Sequence, residues 1–334
     1  MTKNSVILFA GGAGYVGSHV LRSFLEHDYA CVVLDDLSKG HRESLPQGVP
    51  FFQGRVSDSA LLKKIFGSHS IAGILNFAGF IEVGESVANP GKYFQNNLAE
   101  PMALLESARA HQVPWIVFSS SAAVYGSPTR VPIREDDEKN PGNPYGFTKW
   151  AFEQMLVAYD QAYQMRSISL RYFNAAGAHP SGDIGEAHDP ESHLIPLVCK
   201  AAMGIEKSIS IFGNDYPTPD GTCIRDYIHI MDLAEAHFLA VKALEKGHGT
   251  EAFNLGSEHG NSVKEVIDTV KKISGRNFPV EIKGRRPGDS TSLVASSEKF
   301  SREFSWAPKF ASLKSIIESA WVWHERHPQG FQST

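Results

Sequence analysis

A glycine-rich turn close to the start of the chain constrains the fold more than any other feature of the sequence. The apolar run Val6–Ala10 leads directly into Gly11, Gly12 and Gly14, and Gly17 follows where apolar residues begin to recur at helical spacing. Glycines allow a tight turn and a close approach of the backbone to a phosphate, and the N-terminus of the following helix attracts negative charge. A strand, a glycine turn and a helix in this order predict a site for the pyrophosphate of a dinucleotide.

The second predicted strand, Ala30–Leu34, is followed by two acids, Asp35 and Asp36. An acid about 20 residues after the glycine turn can accept both hydroxyls of an adenosine ribose and repel a 2′-phosphate. The simpler interpretation is an ordinary βαβ unit with a solvated acid. The complete pattern of strand, turn, helix, strand and acid favours a dinucleotide site, and Asp35 favours NAD over NADP.

Strand-like runs alternate with amphipathic helical runs through the first half of the chain. This alternation is typical of a Rossmann-type α/β fold, in which a doubly wound parallel sheet binds ligands beyond the carboxyl ends of its strands. The predicted strands are Val6–Ala10, Ala30–Leu34, Pro50–Val56, Ile71–Phe77, Trp115–Ser119 and Ser167–Tyr172, and the predicted helical runs are Ser59–Phe66, Gly91–His111 and Phe147–Tyr163.

The pattern changes after about Gly177, where Pro, Gly, Asp and His become frequent. We therefore expect two domains. Residues 1–176 would form the NAD-binding Rossmann domain, and residues 177–334 would form a smaller, mixed C-terminal lobe that binds the substrate. A predicted strand at Tyr227–Ile230, a helix after it and a strand end at Asn254–Gly256 indicate that the segment 226–256 returns to the first domain.

Composition and charge exclude several kinds of function. The net charge of −5 gives no electrostatic basis for binding nucleic acid or an anionic membrane. No run approaches the roughly 20 apolar residues of a membrane span, and the first apolar run is too short for a signal peptide. The three cysteines, Cys31, Cys199 and Cys223, are scattered, so we expect reduced packing residues in a cytoplasmic protein.

Tyr145 and Lys149 lie four residues apart at the start of a predicted helix, so their side chains share one face. An ammonium group beside a phenol lowers the pKa of the phenol, which makes Tyr145 a base for a hydroxyl proton. One of the serines in Ser119–Ser121, at the end of a strand, can hydrogen-bond the reacting hydroxyl. Surface pairing and a polar strand end would explain each pattern alone. Together with the glycine turn and Asp35, they predict a site of the short-chain dehydrogenase/reductase type.

Nearly the whole chain resembles the UDP-glucose 4-epimerases, a family of extended short-chain dehydrogenases/reductases. The first half shares with them the glycine turn, Phe77–Gly79, Val83–Ser86, Ser119–Gly126 and Pro144–Gly146. The second half is the more diagnostic, because the whole superfamily shares the first. The motifs of the second half are Leu170–Asn174, Gly177–Gly182, Ile211–Thr218, Asp220–Thr222, Arg225–Leu233 and Arg326–Gly330.

The resemblance implies that Tyr145 is the catalytic base and that Ser121 is its partner at the 4-hydroxyl of the sugar. Lys149 would lower the pKa of Tyr145 and bind the nicotinamide ribose. Bound NAD would be reduced and reoxidised within each turnover, through a 4-keto sugar. The residues implied to bind NAD are Gly11, Gly14, Tyr15, Val16, Gly17, Asp35, Asp36, Leu37, Ser38, Lys39, Gly40, Arg55, Val56, Phe77, Ala78, Gly79, Asn96, Ser119, Tyr145, Lys149, Tyr172 and Phe173.

The resemblance also implies a site for UDP-glucose and UDP-galactose. Arg225 and Arg286 suit the diphosphate, because a guanidinium group binds phosphate through paired hydrogen bonds. Leu293 occupies a position that gates N-acetylated sugars in this family. The residues implied to bind the substrate are Ser121, Tyr145, Asn174, His193, Leu194, Phe212, Arg225, Arg286, Asp289 and Leu293.

Several positions depart from the family pattern, and two of them bear on the expected cofactor most directly. Arg55 replaces an aspartate that would accept from the adenine amine, and a guanidinium group cannot accept. Ile81 stands where many relatives have a lysine. Both changes bear on how firmly NAD is held. His324 and His327 are three residues apart and lack an evident carboxylate or cysteine partner, so we expect no metal.

Alternative functions are a nucleotide-sugar 4,6-dehydratase, a UDP-glucuronate decarboxylase, or a cofactor-binding protein without catalysis. The first two resemble each other in placing acids just after the serine or threonine, where this chain has Ala122 and Ala123. The intact Ser121, Tyr145 and Lys149 argue against a loss of catalysis. The resemblance further implies a homodimer.

Overall fold

The computed structural model describes residues 5–286 and 289–331, and these residues form two compact units. The first unit comprises Met1–Gly126, Glu138–Arg171 and Ala234–Phe253, and the second comprises Ser127–Asp137, Tyr172–Leu233 and Asn254–Thr334. Residues 127–137 pack with the second unit, and only residues 234–253 of the segment 226–256 pack with the first.

The described strands and helices follow one another along the chain as expected for an α/β protein. The strands are β1 (Ser5–Ala10), β2 (Cys31–Asp35), β3 (Phe51–Gln53), β4 (Ser70–Asn76), β5 (Trp115–Ser121), β6 (Arg166–Tyr172), β7 (Asn174–Ala176), β8 (Ile209–Phe212), β9 (Ile224–His229), β10 (Glu251–Leu255), β11 (Gly260–Ser262), β12 (Val280–Lys283) and β13 (Ser292–Leu293). The helices are α1 (Tyr15–Glu26), α2 (Ser59–Ser68), α3 (Val83–Ala88), α4 (Pro90–Phe94), α5 (Glu100–Ala110), α6 (Pro144–Tyr163), α7 (Leu194–Ala202), α8 (Ile230–Glu245), α9 (Val263–Ser274), α10 (Glu298–Phe304) and α11 (Leu313–Arg326).

Seven of the described strands form one sheet in the order β10-β6-β5-β4-β1-β2-β3. The pairings of β1 with β2 and β4, of β2 with β3, and of β4 with β5 are parallel. Strand β2 is buried along its whole length, as expected where helices cover both faces of a parallel sheet. Strand residues such as Leu8, Val32 and Ile74 pack with helix residues such as Leu104 and Phe152 in one core. The Rossmann-type fold class predicted from the sequence is confirmed.

In the second unit, β9 pairs in parallel with β7 and β13 and antiparallel with β11. A separate parallel pair joins β8 to β12. Helices α7, α9 and α11 pack against one another around a core that includes Ile195, Val266 and Ile316. Helix α9 begins with a capping box, in which the Ser262 side chain accepts from the Glu265 backbone and the Glu265 side chain accepts from the Ser262 backbone.

The predicted helical run Gly91–His111 is three consecutive elements in the structure. Helix α4 ends at Phe94, a π-helical turn occupies Gln95–Ala99, and α5 follows. Pro101 lies in the first turn of α5, where its missing N–H costs nothing, and it cannot take part in a continuous α-helix from Gly91. Among the described residues, no helix is long and apolar enough to cross a membrane.

Candidate active site

The glycine turn after β1 is packed so closely that side chains would not fit. The Gly11 N–H donates to the Leu34 carbonyl (2.8 Å), and Gly11 has a φ of +76°. A Cβ on Gly11 would lie 2.5 Å from the Ala78 nitrogen, and one on Gly17 would lie 2.4 Å from the Gly11 oxygen. Gly14 is the N-cap of α1 and has no side chain to cap the helix. The first N–H groups of α1 are therefore suited to an anion.

Asp35 is the last residue of β2 and is buried. Its Oδ2 accepts from the Ala13 N–H (2.9 Å), and its Oδ1 accepts from the Leu37 N–H (2.8 Å). Burial raises the pKa of this carboxyl, and the two backbone hydrogen bonds oppose the rise. Asp35 thus joins the end of β2 to the glycine turn, and a Cβ on Gly40 would lie 3.0 Å from its Oδ1. Asp36 instead accepts from the exposed Ser38 N–H (2.9 Å).

Arg55 and Val56 follow β3 with different surroundings. An Arg55 nitrogen lies 2.6 Å from Oε1 of Glu100, which is buried at the start of α5, while the Arg55 side chain is 55% exposed. Val56 belongs to the core of the first unit. Arg55, which the resemblance implies to lie at the cofactor, therefore forms an ion pair with Glu100 that the sequence did not suggest.

The loop after β4 is held next to helix α6. The Phe77 and Ala78 N–H groups donate to the Ala10 carbonyl (2.8 and 3.1 Å). A Cβ on Gly79 would lie 3.7 Å from the Lys149 Nζ. Phe77 and Ala78 therefore lie next to the glycine turn, and Gly79 lies next to Lys149.

Asn97, which the sequence analysis did not single out, fixes this loop. Its Oδ1 accepts from the Phe80 N–H (2.9 Å) and from the Asn96 Nδ2 (2.9 Å). Its Nδ2 donates to the Phe80 carbonyl (3.0 Å) and to Thr148 Oγ1 (3.2 Å). Asn97 links the loop to α6 directly before Lys149, and the predicted residue Asn96 lies beside it.

Ser121, Tyr145 and Lys149 come together at the end of β5 and the start of α6. The helix begins at this point because the Asn143 side chain accepts from the Gly146 N–H (2.9 Å). Lys149 is buried, donates from Nζ to the Ser119 carbonyl (2.8 Å), and has its Nζ 5.8 Å from the centre of the Tyr145 ring. Ser121 hydrogen-bonds the half-buried Tyr145.

The pKa values of Tyr145 and Lys149 are set mainly by burial. Burial raises the pKa of Tyr145, and the hydrogen bond with Ser121 is the influence that lowers it. Burial also lowers the pKa of Lys149 to about 8, against the opposing charge of Glu153. Burial therefore opposes the charged form of each group.

Glu153 continues the face of α6 that presents Tyr145 and Lys149, and the sequence analysis missed it. It is buried with Arg171, whose Nε and NH2 groups donate to its two oxygens (2.9 and 2.5 Å). It also accepts from Ser120 Oγ (2.5 Å), which lies between Ser119 and Ser121. Its position four residues after Lys149, one helical turn further on, was the signal in the sequence.

In the second unit, several predicted substrate residues meet around β9. Arg225 lies in β9, contacts an Asp289 carboxylate oxygen (3.2 Å), and donates to the Ser290 carbonyl (2.8 Å). Leu293 in β13 is the register partner of Arg225. Asn174 in β7 donates to the Asp226 carbonyl (2.7 Å). Arg225, Asp289 and Leu293 are therefore neighbours.

Other predicted substrate residues of the second unit form two further groups. The Arg286 guanidinium lies 3.8 Å from the centre of the Phe212 ring at the end of β8, a close cation–π contact. His193 precedes Leu194, the first residue of α7. Tyr172 and Phe173, which the resemblance implies to bind NAD, are half-buried at the end of β6 and directly after it.

His193 belongs to a compact cluster in the loop before α7. Its Nδ1 lies 2.5 Å from Oε1 of the buried Glu186, and the Nδ1 of His188 lies 3.3 Å from the same oxygen. Burial lowers the pKa of His188, but the carboxylates of Glu186 and Glu191 outweigh it and raise the pKa to about 10. The same balance raises the pKa of His193.

Comparison with known proteins agrees with this geometry. The profile of the NAD dependent epimerase/dehydratase family matches residues 7–256. The UDP-glucose 4-epimerase of Halalkalibacterium halodurans is 49% identical over 327 residues, 98% of each chain. The structure of UDP-glucose 4-epimerase from Brucella ovis in complex with NAD has a TM-score of 0.92 and 42% identity, and covers 95% of this chain and 97% of that one.

A further similar structure is that of UDP-glucose 4-epimerase from Bifidobacterium longum in complex with NAD+ and UDP. It has a TM-score of 0.93 and 37% identity, and covers 98% of this chain and all of the other. The chain belongs to the NAD dependent epimerase/dehydratase family. Within that family, its similarity over nearly the full length is to the UDP-glucose 4-epimerases.

Proposed function

We propose that this protein interconverts UDP-galactose and UDP-glucose by inverting C4 of the sugar through a 4-keto intermediate, which makes it an isomerase. The arrangement of Ser121, Tyr145 and Lys149 is the main observation, because it supplies a proton acceptor, a hydroxyl partner and a cation at one place. The near-full-length similarity to UDP-glucose 4-epimerases supports the choice of substrate.

The first unit fits NAD. A side chain would not fit at Gly11 or Gly17, and the N-terminus of the adjoining helix α1 suits a pyrophosphate. Asp35 stands at the strand end where a ribose would bind, and its charge disfavours a 2′-phosphate. When bound, NAD would take up and give back the C4 hydride. The remaining NAD residues named from the sequence are proposed on the same basis.

Tyr145 is proposed to remove the proton of the sugar 4-hydroxyl and to return it. Burial raises its pKa, so the phenolate must be stabilised by neighbouring groups. Lys149, with a pKa of about 8, is protonated in most molecules at pH 7, and its ammonium favours the phenolate. Ser121 donates to or accepts from the same phenol and positions the reacting hydroxyl.

In the second unit, we assign the UDP part of the substrate to the residues named from the sequence. Arg225 and Arg286 neutralise the diphosphate charge, and Asp289 holds the Arg225 guanidinium in place. Anchoring UDP in this way leaves the 4-keto sugar free to present its other face. The dehydratase alternative is not favoured, because Ala122 and Ala123 provide no acid or base.

A homodimer in the cytoplasm completes the proposal. On α5 and α6, the large apolar side chains of Met102, Phe147, Val157 and Tyr163 are exposed. Exposed apolar side chains on neighbouring elements are typical of an interface between subunits, which sedimentation of the purified protein would test.

The described cysteines, Cys31, Cys199 and Cys223, are free and buried, as expected in a reducing compartment.

The proposal is tested by incubating the purified protein with UDP-galactose and separating the products by their sugar. We expect UDP-glucose to form, and Tyr145→Phe to lower the rate by about 10²–10⁴-fold while UDP-sugar binding is largely kept, since only the base is deleted. Tyr159→Phe, which removes a hydroxyl from the far part of the same helix, is the matched control and should leave the rate unchanged. Turnover of Tyr145→Phe within threefold of the parent would show that another residue moves the proton.

A further inference from the structure

The loop before α7 contains a set of metal-ligating side chains, one of which, His193, is also a predicted substrate residue. Glu186, His188, Glu191 and His193 lie within eight residues of sequence, and each can offer one ligand atom so that all four atoms lie within 4.8 Å of one another. From the sequence, only His324 and His327, at helical spacing, are candidate ligands, and no metal is expected. The cluster uses different histidines and places them in a loop.

The separations between these atoms fit a four-coordinate ion. From Glu186 Oε1, the Nδ1 atoms of His193 and His188 are at 2.5 and 3.3 Å. From Glu191 Oε1, both Nδ1 atoms are at 3.7 Å. The edge of a tetrahedron with metal–ligand bonds near 2.1 Å is about 3.4 Å, and the four separations lie on both sides of that value.

The surrounding structure holds the ligands in place. The Trp323 indole donates to the Glu186 carbonyl (2.9 Å), and a Cβ on Gly185 would lie 2.3 Å from the Trp323 ring. Glu191 Oε1 accepts from the Ser192 and His193 N–H groups (2.9 and 3.0 Å), so its carboxylate has a fixed orientation. The carboxylates of Glu186 and Glu191 are almost fully buried. Ligands oriented by outer partners and removed from water are typical of built metal sites.

We propose that Glu186, His188, Glu191 and His193 bind a structural Zn²⁺ ion. Two imidazole nitrogens and two carboxylate oxygens are ligands that Zn²⁺ accepts in closed tetrahedral sites. The charge of a 2+ ion would neutralise the two buried carboxylates. Without metal, protonated histidines neutralise them. The ion would tie together the loop that leads directly into Leu194 and α7.

The test uses the full chain, freed of metal with a chelator and then titrated with Zn²⁺ alone by calorimetry. We expect one Zn²⁺ per chain and release of protons on binding, shown by a heat that depends on the buffer. Titration with Co²⁺ should give the strong visible absorption of a four-coordinate ion. Both signals are readouts independent of catalytic activity.

His188→Gln and Glu191→Gln remove one ligand each without changing the size of the side chain much. Each variant should weaken Zn²⁺ binding by at least about 100-fold. Loss of a residue that only hydrogen-bonds a metal ligand lowers metal affinity by up to about 100-fold, and loss of the ligand itself should cost no less. His111→Gln and Glu206→Gln change exposed residues and are the matched controls. Circular dichroism and retained NAD show that the variants are folded.

Three results would overturn the proposal. The first is no stoichiometric Zn²⁺ binding by the parent protein. The second is binding that both ligand variants retain, which would place the ion at other surface groups. The third is the weak Co²⁺ absorption of a six-coordinate ion. In these cases the cluster is a set of ion pairs between protonated histidines and carboxylates.

Discussion

Removing the charge of Glu153 should destabilise the protein strongly, although Glu153 is assigned no role in the reaction. Its carboxylate is 3% exposed and receives hydrogen bonds from Arg171 and Ser120. Arg171, 5% exposed, also donates to the Tyr125 hydroxyl (2.8 Å). In Glu153→Gln the Arg171 guanidinium stays buried without a counter-charge.

The expected cost follows from this burial. Removing one partner of a buried ion pair costs about 3–5 kcal/mol, because the remaining charge has lost water without compensation. The amide that replaces the carboxylate can still accept one hydrogen bond from Ser120 or Arg171, so we expect about 3 kcal/mol, the lower end of the range. The Lys149 pKa should also fall further, since Glu153 is the charge that holds it up.

The assay is the free energy of unfolding from urea titration, followed by circular dichroism, for the parent and three variants. Asp268→Asn, which removes a carboxylate from the exposed Lys264–Asp268 pair, is the matched control and should change stability little. The double variant Glu153→Leu/Arg171→Met removes both charges and should recover most of the loss. A Glu153→Gln loss no larger than that of Asp268→Asn would refute the reasoning.

Three further predictions concern the cofactor, pH and the sugar. Asp35→Asn should weaken NAD binding roughly ten- to 100-fold, the value of a hydrogen bond to a charged group, and should reduce the preference for NAD over NADP. The measurement is the activity of protein stripped of cofactor and reconstituted with each nucleotide. Equal activity of the parent with both nucleotides would refute the role of Asp35. His229 is buried between Ser319 and the Met231 N–H, and burial lowers its pKa from 6.5 to about 4. The unfolded chain then takes up a proton that the folded chain does not, so the free energy of unfolding should fall by about 2 kcal/mol between pH 7 and pH 5, and this fall should be smaller in His229→Gln; an unchanged slope in the variant would contradict it. Leu293 should make UDP-N-acetylglucosamine a poorer substrate than UDP-glucose by about 10–200-fold, and Leu293→Ser should reduce that ratio; equal rates in the parent would place the gate elsewhere.

Most strands of the main sheet could be predicted closely, because buried strands consist of continuous apolar runs between turn residues. Strand β3 is the exception, since Pro50–Val56 was expected and Phe51–Gln53 is observed. Val6–Ala10 was expected and Ser5–Ala10 is observed. Trp115–Ser119 was expected and Trp115–Ser121 is observed. Such runs have one dominant environment, since helices cover both faces of the sheet. Short elements such as β8 and β13 were not expected, because their few residues have no periodicity of their own.

The candidate site was predictable where a motif has local geometry, and less so where distant residues meet. Tyr145 and Lys149 share a helix face, so their proximity follows from spacing alone. The electrostatic balance around them does not, because burial, which raises the pKa of Tyr145, is the largest influence on that pKa. The pairing of Arg55 with Glu100 joins residues far apart in the sequence, and the pattern along the chain gives no sign of it.

The central claim is that hydrogen removed from C4 of the sugar is given back to the same carbon. It is tested most directly with UDP-galactose that contains deuterium at C4, converted by the purified protein in ordinary water. We predict UDP-glucose that retains its deuterium at C4, with no net accumulation of NADH. Loss of deuterium to water, or NADH in proportion to the product, would contradict the proposed reaction.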